Sequence, residues 1–129
     1  MATPAELFEA ARAAMLRAYA PYSKFPVGAA VRTESGAVYA GCNVENASFP
    51  EGWCAETSAI AQMIAAGERR ITEIAVVAEK MARITPCGGC RQRLKEFSSA
   101  ETLVHLCDAV GVVETVRLGD LLPHAFDLG

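Results

Sequence analysis

Two cysteine-containing segments constrain the fold of this chain more than any other feature of its sequence. The first is Trp53-Cys54-Ala55-Glu56 and the second is Pro86-Cys87-Gly88-Gly89-Cys90-Arg91-Gln92. Three thiolates can hold a zinc ion and leave its fourth coordination position open, as catalytic zinc sites do. A carboxylate two residues beyond the first cysteine is a candidate for moving protons beside such a site. The fold must therefore bring two segments that are distant in the sequence to one place.

The spacing of the cysteines suits a metal site built at helix starts. Cys87 and Cys90 are three residues apart at the predicted start of a helix, so their sulfur atoms share a face. Cys54 also stands at a predicted helix start, and helix N-termini favour thiolates. The sequence therefore predicts zinc as the cofactor, these three cysteines as its ligands and Glu56 as the proton shuttle. Because three thiolates carry more charge than Zn²⁺, compensation is needed, and the helix ends and Arg91 are candidates.

Three other interpretations of the cysteines stay open at this point. The Cys87-x-x-Cys90 pair is also typical of thioredoxin-like redox proteins, but that function leaves the first segment unexplained. A closed structural zinc site would need Cys42, Cys107 or a histidine as fourth ligand. The third interpretation is three unrelated buried thiols.

Hydrophobic periodicity predicts the element order α-β-β-α-β-α-β-β. The first predicted helix is capped by Thr3, runs through Tyr19 and is ended by Pro21. The other predicted helices are Cys54 to Ala66 and Cys87 to Phe97, followed by a closing helical turn at Leu118 to Leu122. The predicted strands are Val27 to Thr33, Ala37 to Cys42, Ile74 to Ala78, Thr102 to Cys107 and Val112 to Val116. We expect a single domain over residues 1–129 with an α/β fold. In this three-layer α/β/α sandwich, helices cover both faces of a central mixed five-stranded sheet.

Composition narrows the class of protein. Apolar residues make up 52% and charged residues 21% of the chain, which excludes disorder. The net charge of -3 and the lack of a basic cluster argue against a nucleic-acid polymer as partner. No segment has the roughly 20 apolar residues of a membrane span, and no signal peptide is visible. Five cysteines do not suit a secreted disulfide framework, so we expect a cytoplasmic protein, and the high apolar content of so short a chain predicts self-association.

Residues before the first cysteine segment are candidates for substrate binding. Asn43 and Glu45 follow a predicted strand two residues apart, so they face the same side. An amide beside a carboxylate can receive a hydroxyl-rich group, although a polar turn would look the same. Phe25 lies in a loop rich in aromatic residues and prolines, where it either supports a flat ring or covers the core.

Taken together, these segments identify a resemblance to the small, homotetrameric cytidine deaminases that covers almost the whole chain. The segments that carry it are Ala20-Pro21-Tyr22-Ser23-Lys24-Phe25, Gly41-Cys42-Asn43-Val44-Glu45-Asn46-Ala47-Ser48, Cys54-Ala55-Glu56, Pro86-Cys87-Gly88-Gly89-Cys90-Arg91-Gln92 and Leu121-Leu122-Pro123. The third and fourth segments agree with the zinc-deaminase pattern of a shuttle glutamate and Pro-Cys-x-x-Cys. The resemblance implies hydrolytic deamination of cytidine and 2′-deoxycytidine in pyrimidine salvage, by a zinc-dependent homotetramer whose subunits share their sites.

The resemblance also implies roles by matching position. Cys54, Cys87 and Cys90 would bind zinc, and Glu56 would shuttle protons. Asn43 and Glu45 would hold the ribose hydroxyls of the substrate. Phe25 would stack on the pyrimidine, and the backbone at Ala55 and near Pro86 would face the base. Neighbouring subunits would contribute through Ala47 to Phe49 and through Phe126.

Three positions depart from the pattern of the family. Thr57 stands where members often carry an arginine that offsets the thiolate charge, Phe49 stands where tyrosine is common, and Trp53 is bulky. A blasticidin-type deaminase, which acts on a cytosine-bearing antibiotic, is the main alternative, and a non-catalytic zinc module is the second. Phe25 and the Asn43-x-Glu45 pair favour a plain nucleoside.

Overall fold

The computed structural model describes residues 3–80 and 84–128. Its helices are α1 (Pro4–Met15), α2 (Ala55–Ala65), α3 (Gly88–Glu96) and α4 (Leu118–Leu121), with a 3₁₀ turn at Phe49–Glu51. Its strands are β1 (Val27–Thr33), β2 (Val38–Cys42), β3 (Ile71–Ala78), β4 (Leu103–Cys107) and β5 (Val112–Arg117). The predicted order of elements is confirmed, and the bounds of β1 agree with the predicted ones.

The five strands form one mixed sheet in the order β2-β1-β3-β4-β5. Only the central pair β3 and β4 is parallel, and the other three pairs are antiparallel. The parallel pair requires a crossover, which α3 supplies, because α3 lies between those strands in the chain. The run from Ile74 to Ala78 is fully buried, as expected of a central strand covered on both faces.

Helices cover both faces of the sheet, which confirms the three-layer α/β/α sandwich. On one face α1 packs against β1, β3 and β4 through a cluster formed by Leu7, Phe8, Ala11, Met15, Ala30, Ala75, Val77 and Cys107. On the other face Met63 of α2 and Leu94 of α3 join a larger cluster with Val31, Val76 and Leu106. The two helices that begin at the cysteines therefore lie on the same face.

Two glycines allow helices to rest directly on the strand backbone. A Cβ atom at Gly41 would lie 2.5 Å from the Ala59 nitrogen of α2, and one at Gly28 would lie 1.9 Å from the Ala11 oxygen of α1. No side chain fits in either space. The position of α2, and of the residues at its N-terminus, is thus set by contact with β2.

The first helix ends at Met15, so the prediction that it continues to Tyr19 is wrong. The Tyr19 nitrogen donates to the Asn43 oxygen at 3.0 Å, and the Tyr19 oxygen accepts from the Glu45 nitrogen at 2.8 Å. This bridge beside Val44 gives the backbone hydrogen bonds that a longer helix would have supplied. Among the helices in the described ranges, none is long and apolar enough to cross a membrane.

Candidate functional site

Two of the three cysteines of the cluster occupy the N-cap positions of helices. Cys54 precedes α2 and Cys87 precedes α3, and both have extended backbone angles. Neither sulfur forms a capping hydrogen bond with its own helix, which leaves both free to bind another group. Because both helices begin here, the positive ends of two helix dipoles meet at one point. Cys90 follows in the first turn of α3 and is completely buried.

The three sulfur atoms lie together in a geometry that suits zinc. All three are within 4.8 Å of one another, and the Cys54 and Cys87 sulfurs are 3.8 Å apart. Tetrahedral coordination with Zn–S bonds of about 2.3 Å places sulfurs about 3.8 Å apart. That separation is far too long for a disulfide, and all five cysteines are free. In residues 3–80 and 84–128, no fourth histidine, cysteine, aspartate or glutamate joins the group, so the donor set fits an open rather than a closed zinc site.

The thiols of this cluster affect one another's ionisation. A hydrogen bond with Cys90 lowers the pKa of Cys54, and the same hydrogen bond, together with burial, raises the pKa of Cys90. Neighbouring thiolates repel each other, so the protein alone does not hold all three ionised. A divalent cation bound between the sulfurs would remove that penalty.

Glu56 lies in the first turn of α2 and is 4% exposed. Burial raises the pKa of its carboxyl above the ordinary value. Three smaller effects lower that pKa: a hydrogen bond to its own backbone nitrogen, a hydrogen bond with Cys90, and the charge of Arg93. The side chain nevertheless lines a cavity. A buried carboxyl with a raised pKa at the edge of a cavity can exchange protons with a ligand there.

The cavity has a volume of about 700 Å³ and brings together most of the residues predicted from the sequence. Its lining includes Phe25, Asn43, Glu45, Cys54, Ala55, Glu56 and Cys87. Further lining residues are Tyr22, Ser23, Val27, Val44, Asn46, Phe49, Gly52, Trp53, Ile84 and Thr85. Pro86 and Phe126 do not line it, and Cys90 is buried behind Cys54 and Cys87. The volume is suitable for a ligand the size of a nucleoside.

Asn43 faces the cavity while it also fixes the neighbouring loop. Its Oδ1 accepts from the Val27 nitrogen at 2.9 Å, and its Nδ2 donates to the Phe25 oxygen at 2.9 Å. Two backbone partners of opposite kind determine the orientation of the amide. One N–H and one lone pair stay available for a ligand.

Glu45 is held by the same loop. Its Oε1 accepts from the Tyr22 and Ser23 nitrogens at 2.9 and 3.0 Å, and its Oε2 accepts from the Ser23 hydroxyl. The Ser23 hydrogen bonds lower the pKa of Glu45, so this carboxylate stays charged. A carboxylate has about four acceptor positions, which leaves one for a ligand hydroxyl. Asn43 and Glu45 do lie on one side, as their spacing predicts.

Pro86 lies beside the cavity, and Phe126 lies outside it. The Pro86 side chain is buried and its oxygen accepts from Arg91 Nε at 2.7 Å, while Thr85 and Cys87 on either side line the cavity. Arg91 Nη1 also donates to the Leu121 oxygen at 2.8 Å, so this cation supports the backbone of the cysteine segment. Phe126 is 70% exposed, and its oxygen accepts from Gln92 Nε2 at 3.2 Å.

The cation beside the Cys90 sulfur is not one of the residues predicted from the sequence. Arg93 Nη1 lies 3.8 Å from the Cys90 sulfur, whereas the guanidinium of Arg91 bonds to backbone oxygens. The Thr57 hydroxyl lies 3.8 Å from the same sulfur. The i to i+3 spacing of Cys90 and Arg93 on a predicted helix was the available signal, because such residues share a face.

The mouth of the cavity carries exposed aromatic side chains. Phe49 is 73% exposed and contacts Tyr22 edge to face, with ring centroids 6.0 Å apart. Trp53 is 51% exposed, and its backbone pairs with Val44. These rings form an apolar rim that a single chain leaves open to water.

Comparisons with known proteins agree with this site. The family described as "Cytidine and deoxycytidylate deaminase zinc-binding region" matches residues 1–106. A cytidine deaminase of Sporosarcina psychrophila is 40% identical over 121 residues, which cover 94% of this chain and 89% of that protein. A cytidine deaminase of Mycobacterium tuberculosis is 42% identical over 111 residues, covering 86% and 80%.

Solved structures show the same similarity. The crystal structure of cytidine deaminase from Burkholderia pseudomallei superposes with a TM-score of 0.91 at 48% identity, covering 97% of this chain and 100% of that one. The crystal structure of cytidine deaminase from Mycobacterium tuberculosis gives a TM-score of 0.84 at 41% identity, with 95% of each chain covered.

Proposed function

The chain belongs to the cytidine and deoxycytidylate deaminase family, and on that premise we propose that it is a zinc-dependent cytidine deaminase. It hydrolyses cytidine and 2′-deoxycytidine to uridine and 2′-deoxyuridine and releases ammonia. One observation carries the assignment beyond family membership: Cys54 and Cys87 of the three-sulfur cluster and the buried Glu56 line the same cavity as Asn43 and Glu45. A proton carrier and a receptor for hydroxyl groups are thereby available to one ligand.

Cys54, Cys87 and Cys90 would hold the zinc ion, with the starts of α2 and α3 offsetting part of their charge. When bound, zinc supplies the Lewis acidity that activates water for attack on C4 of the cytosine ring. Glu56 would take the two protons of the attacking water in turn, delivering one to the ring nitrogen and the other to the amino group, which leaves as ammonia. Its side chain is buried at the edge of the cavity, where it can exchange protons with a ligand.

The sugar would be held by Asn43 and Glu45 of the cavity lining. Asn43 offers one N–H and one lone pair, and Glu45 offers one acceptor position, to the ribose hydroxyls. Phe25 packs against the core and also lines the cavity, so its ring is fixed where the pyrimidine can stack. Ala55, beside Glu56, and the backbone next to Pro86 would face the base.

The alternative functions are less well supported. A redox role for Cys87 and Cys90 does not require a third sulfur at 3.8 Å from Cys87. A closed structural zinc site lacks a fourth ligand in the described part of the chain, and Cys107 instead lies in the α1 cluster. The matched relatives named above are cytidine deaminases, which favours a plain nucleoside over a blasticidin-type substrate.

We further propose a homotetramer in the cytoplasm that acts in pyrimidine salvage. The open aromatic rim of Tyr22, Phe49 and Trp53 supports self-association, since exposed apolar rims are typical of interfaces. Residues Ala47 to Phe49 border that rim, and Phe126 is exposed near α3, so both can reach a neighbouring subunit. Sedimentation as a monomer would contradict this assembly.

An absorbance assay with cytidine, 2′-deoxycytidine and blasticidin S in parallel tests the function, with zinc content measured on the same protein. We expect turnover of both nucleosides with release of one ammonia for each product molecule. Turnover of blasticidin S alone would replace the proposed substrate. One bound zinc per chain with no ammonia from any of the three would mean a non-catalytic zinc module.

A further inference from the structure

The buried Cys90 sulfur has two polar neighbours that the catalytic roles above do not use. Arg93 Nη1 and the Thr57 hydroxyl each lie 3.8 Å from it, one from α3 and one from α2. Both residues line a second cavity of about 380 Å³, which shares no lining residue with the larger cavity. They therefore approach the sulfur from a side that the substrate does not occupy.

The local charge balance requires a cation at this point. Three thiolates and an ionised Glu56 would place four negative charges around a Zn²⁺ ion, and the two helix ends supply only about half a charge each. Arg91 is bonded to the Pro86 and Leu121 oxygens. In the part of the chain that the structure describes, Arg93 forms no ion pair with a carboxylate; its Nη1 donates to the Cys90 sulfur, and its charge also lowers the pKa of Glu56.

We propose that Arg93 is a positioning residue that acts through Cys90: its guanidinium withdraws electron density from the thiolate and so keeps the bound zinc electrophilic. A donor hydrogen bond to a metal ligand tunes the metal in this way. Thr57 leaves room for it, because a long side chain at position 57 would extend toward the same sulfur. The inference rests on the proposed function, which supplies the zinc and the reaction.

The test uses Arg93→Met, which removes the charge and the donors, and Arg93→Lys, which keeps the charge. Arg12→Met is the matched control, because Arg12 is an exposed arginine on α1, on the opposite face of the sheet. Each protein is loaded with cobalt(II) for spectroscopy and with zinc for kinetics. The rescue variant combines Arg93→Met with Thr57→Arg.

We expect the sulfur-to-cobalt charge-transfer band to move to longer wavelength in Arg93→Met, because the sulfur lone pairs rise in energy without the cation. We expect kcat for cytidine to fall about tenfold, equivalent to about 1.4 kcal/mol, with KM within twofold. Arg93→Lys and the rescue variant should recover most of both changes, and Arg12→Met should show neither.

A band at the wild-type wavelength in fully loaded Arg93→Met would overturn the proposal. So would a rescue variant that is no better than Arg93→Met. Because the cobalt spectrum needs no turnover, it tests the role of Arg93 even if the chain fails to deaminate cytidine. If Arg93→Met does not fold, the spectrum of Arg93→Lys decides, since an unchanged band with a tenfold lower kcat would contradict an action through the charge on Cys90.

Discussion

Gly41→Ala tests whether contact between β2 and α2 sets the position of the catalytic groups. The added Cβ would lie 2.5 Å from the Ala59 nitrogen and 2.6 Å from the Ser58 Cβ, where ordinary contact begins at 3.4 Å. The helix must therefore move by about 0.9 Å, which is the difference between the 3.4 Å contact distance and the 2.5 Å to the Ala59 nitrogen. Overpacking of this kind costs about 1–3 kcal/mol of unfolding free energy.

The same displacement should affect the chemistry, because α2 begins with Cys54 and Glu56. A misplacement of about 1 Å in a catalytic group can cost about a hundredfold in rate. We expect the Tm of Gly41→Ala to fall by roughly 4–10 °C. We also expect kcat for each zinc-loaded folded molecule to fall by about one to two orders of magnitude.

Two further glycine variants separate stability from catalysis. Gly28→Ala creates a similar clash with α1, which carries no residue of the site, so it should lower Tm at least as much but leave kcat per folded molecule near wild type. Gly111→Ala meets no atom within 4 Å and should change neither quantity. This role of the contact between β2 and α2 would be refuted if Gly41→Ala kept the wild-type Tm and kcat, or if Gly28→Ala lost kcat equally.

The remaining predictions concern Glu45. Glu45→Ala should raise KM for cytidine roughly tenfold to hundredfold and change KM for free cytosine much less, because only the nucleoside has a sugar to bind; equal changes would mean that Glu45 does not contact the sugar. In Ser23→Ala the pKa of Glu45 should rise toward its ordinary value, since the Ser23 hydrogen bonds lower it. Ionised Glu45 contributes to nucleoside binding at every pH above its ordinary pKa, and this contribution is lost as the pH falls through its lowered pKa. Because Ser23→Ala raises that pKa, the pH below which KM for cytidine rises should be higher in Ser23→Ala than in the wild type. Superimposable KM–pH profiles for Ser23→Ala and wild type would contradict this.

Much of the fold followed from local patterns. The continuous apolar run around Ile74 predicted a strand covered on both faces. Gly67, with a φ of 94°, ended α2 as expected of a helix C-terminus. These signals act over a few residues, so they are readable without the tertiary structure.

The cysteine cluster was predictable for a different reason. Cys-x-x-Cys at a helix start, together with Cys54 and Glu56, is a pattern that the chemistry of zinc requires, so it indicated convergence of distant segments before the structure did. The Asn43-x-Glu45 spacing likewise predicted two side chains on one side of an extended segment.

Contacts that depend on long-range placement were not predictable. Glu45 accepts from Ser23, 22 residues away, in a loop where Lys24 takes a φ of 60°. The early end of α1 depends on the pairing of Tyr19 with residues 43–45. The Arg91 side chain is bonded to the Leu121 oxygen, 30 residues away, and so does not reach the Cys90 sulfur. The residues near each of these contacts in the sequence do not favour the observed contact over other possible partners.

The central claim is that Glu56 moves protons for a reaction at the three-cysteine zinc site. Glu56→Gln keeps the size and burial of the side chain but removes the titratable group. Zinc content, Tm and cytidine turnover should be measured on one preparation. We expect one zinc per chain, a Tm near wild type and a loss of deamination by several orders of magnitude. Turnover close to wild type in zinc-loaded Glu56→Gln would contradict the account.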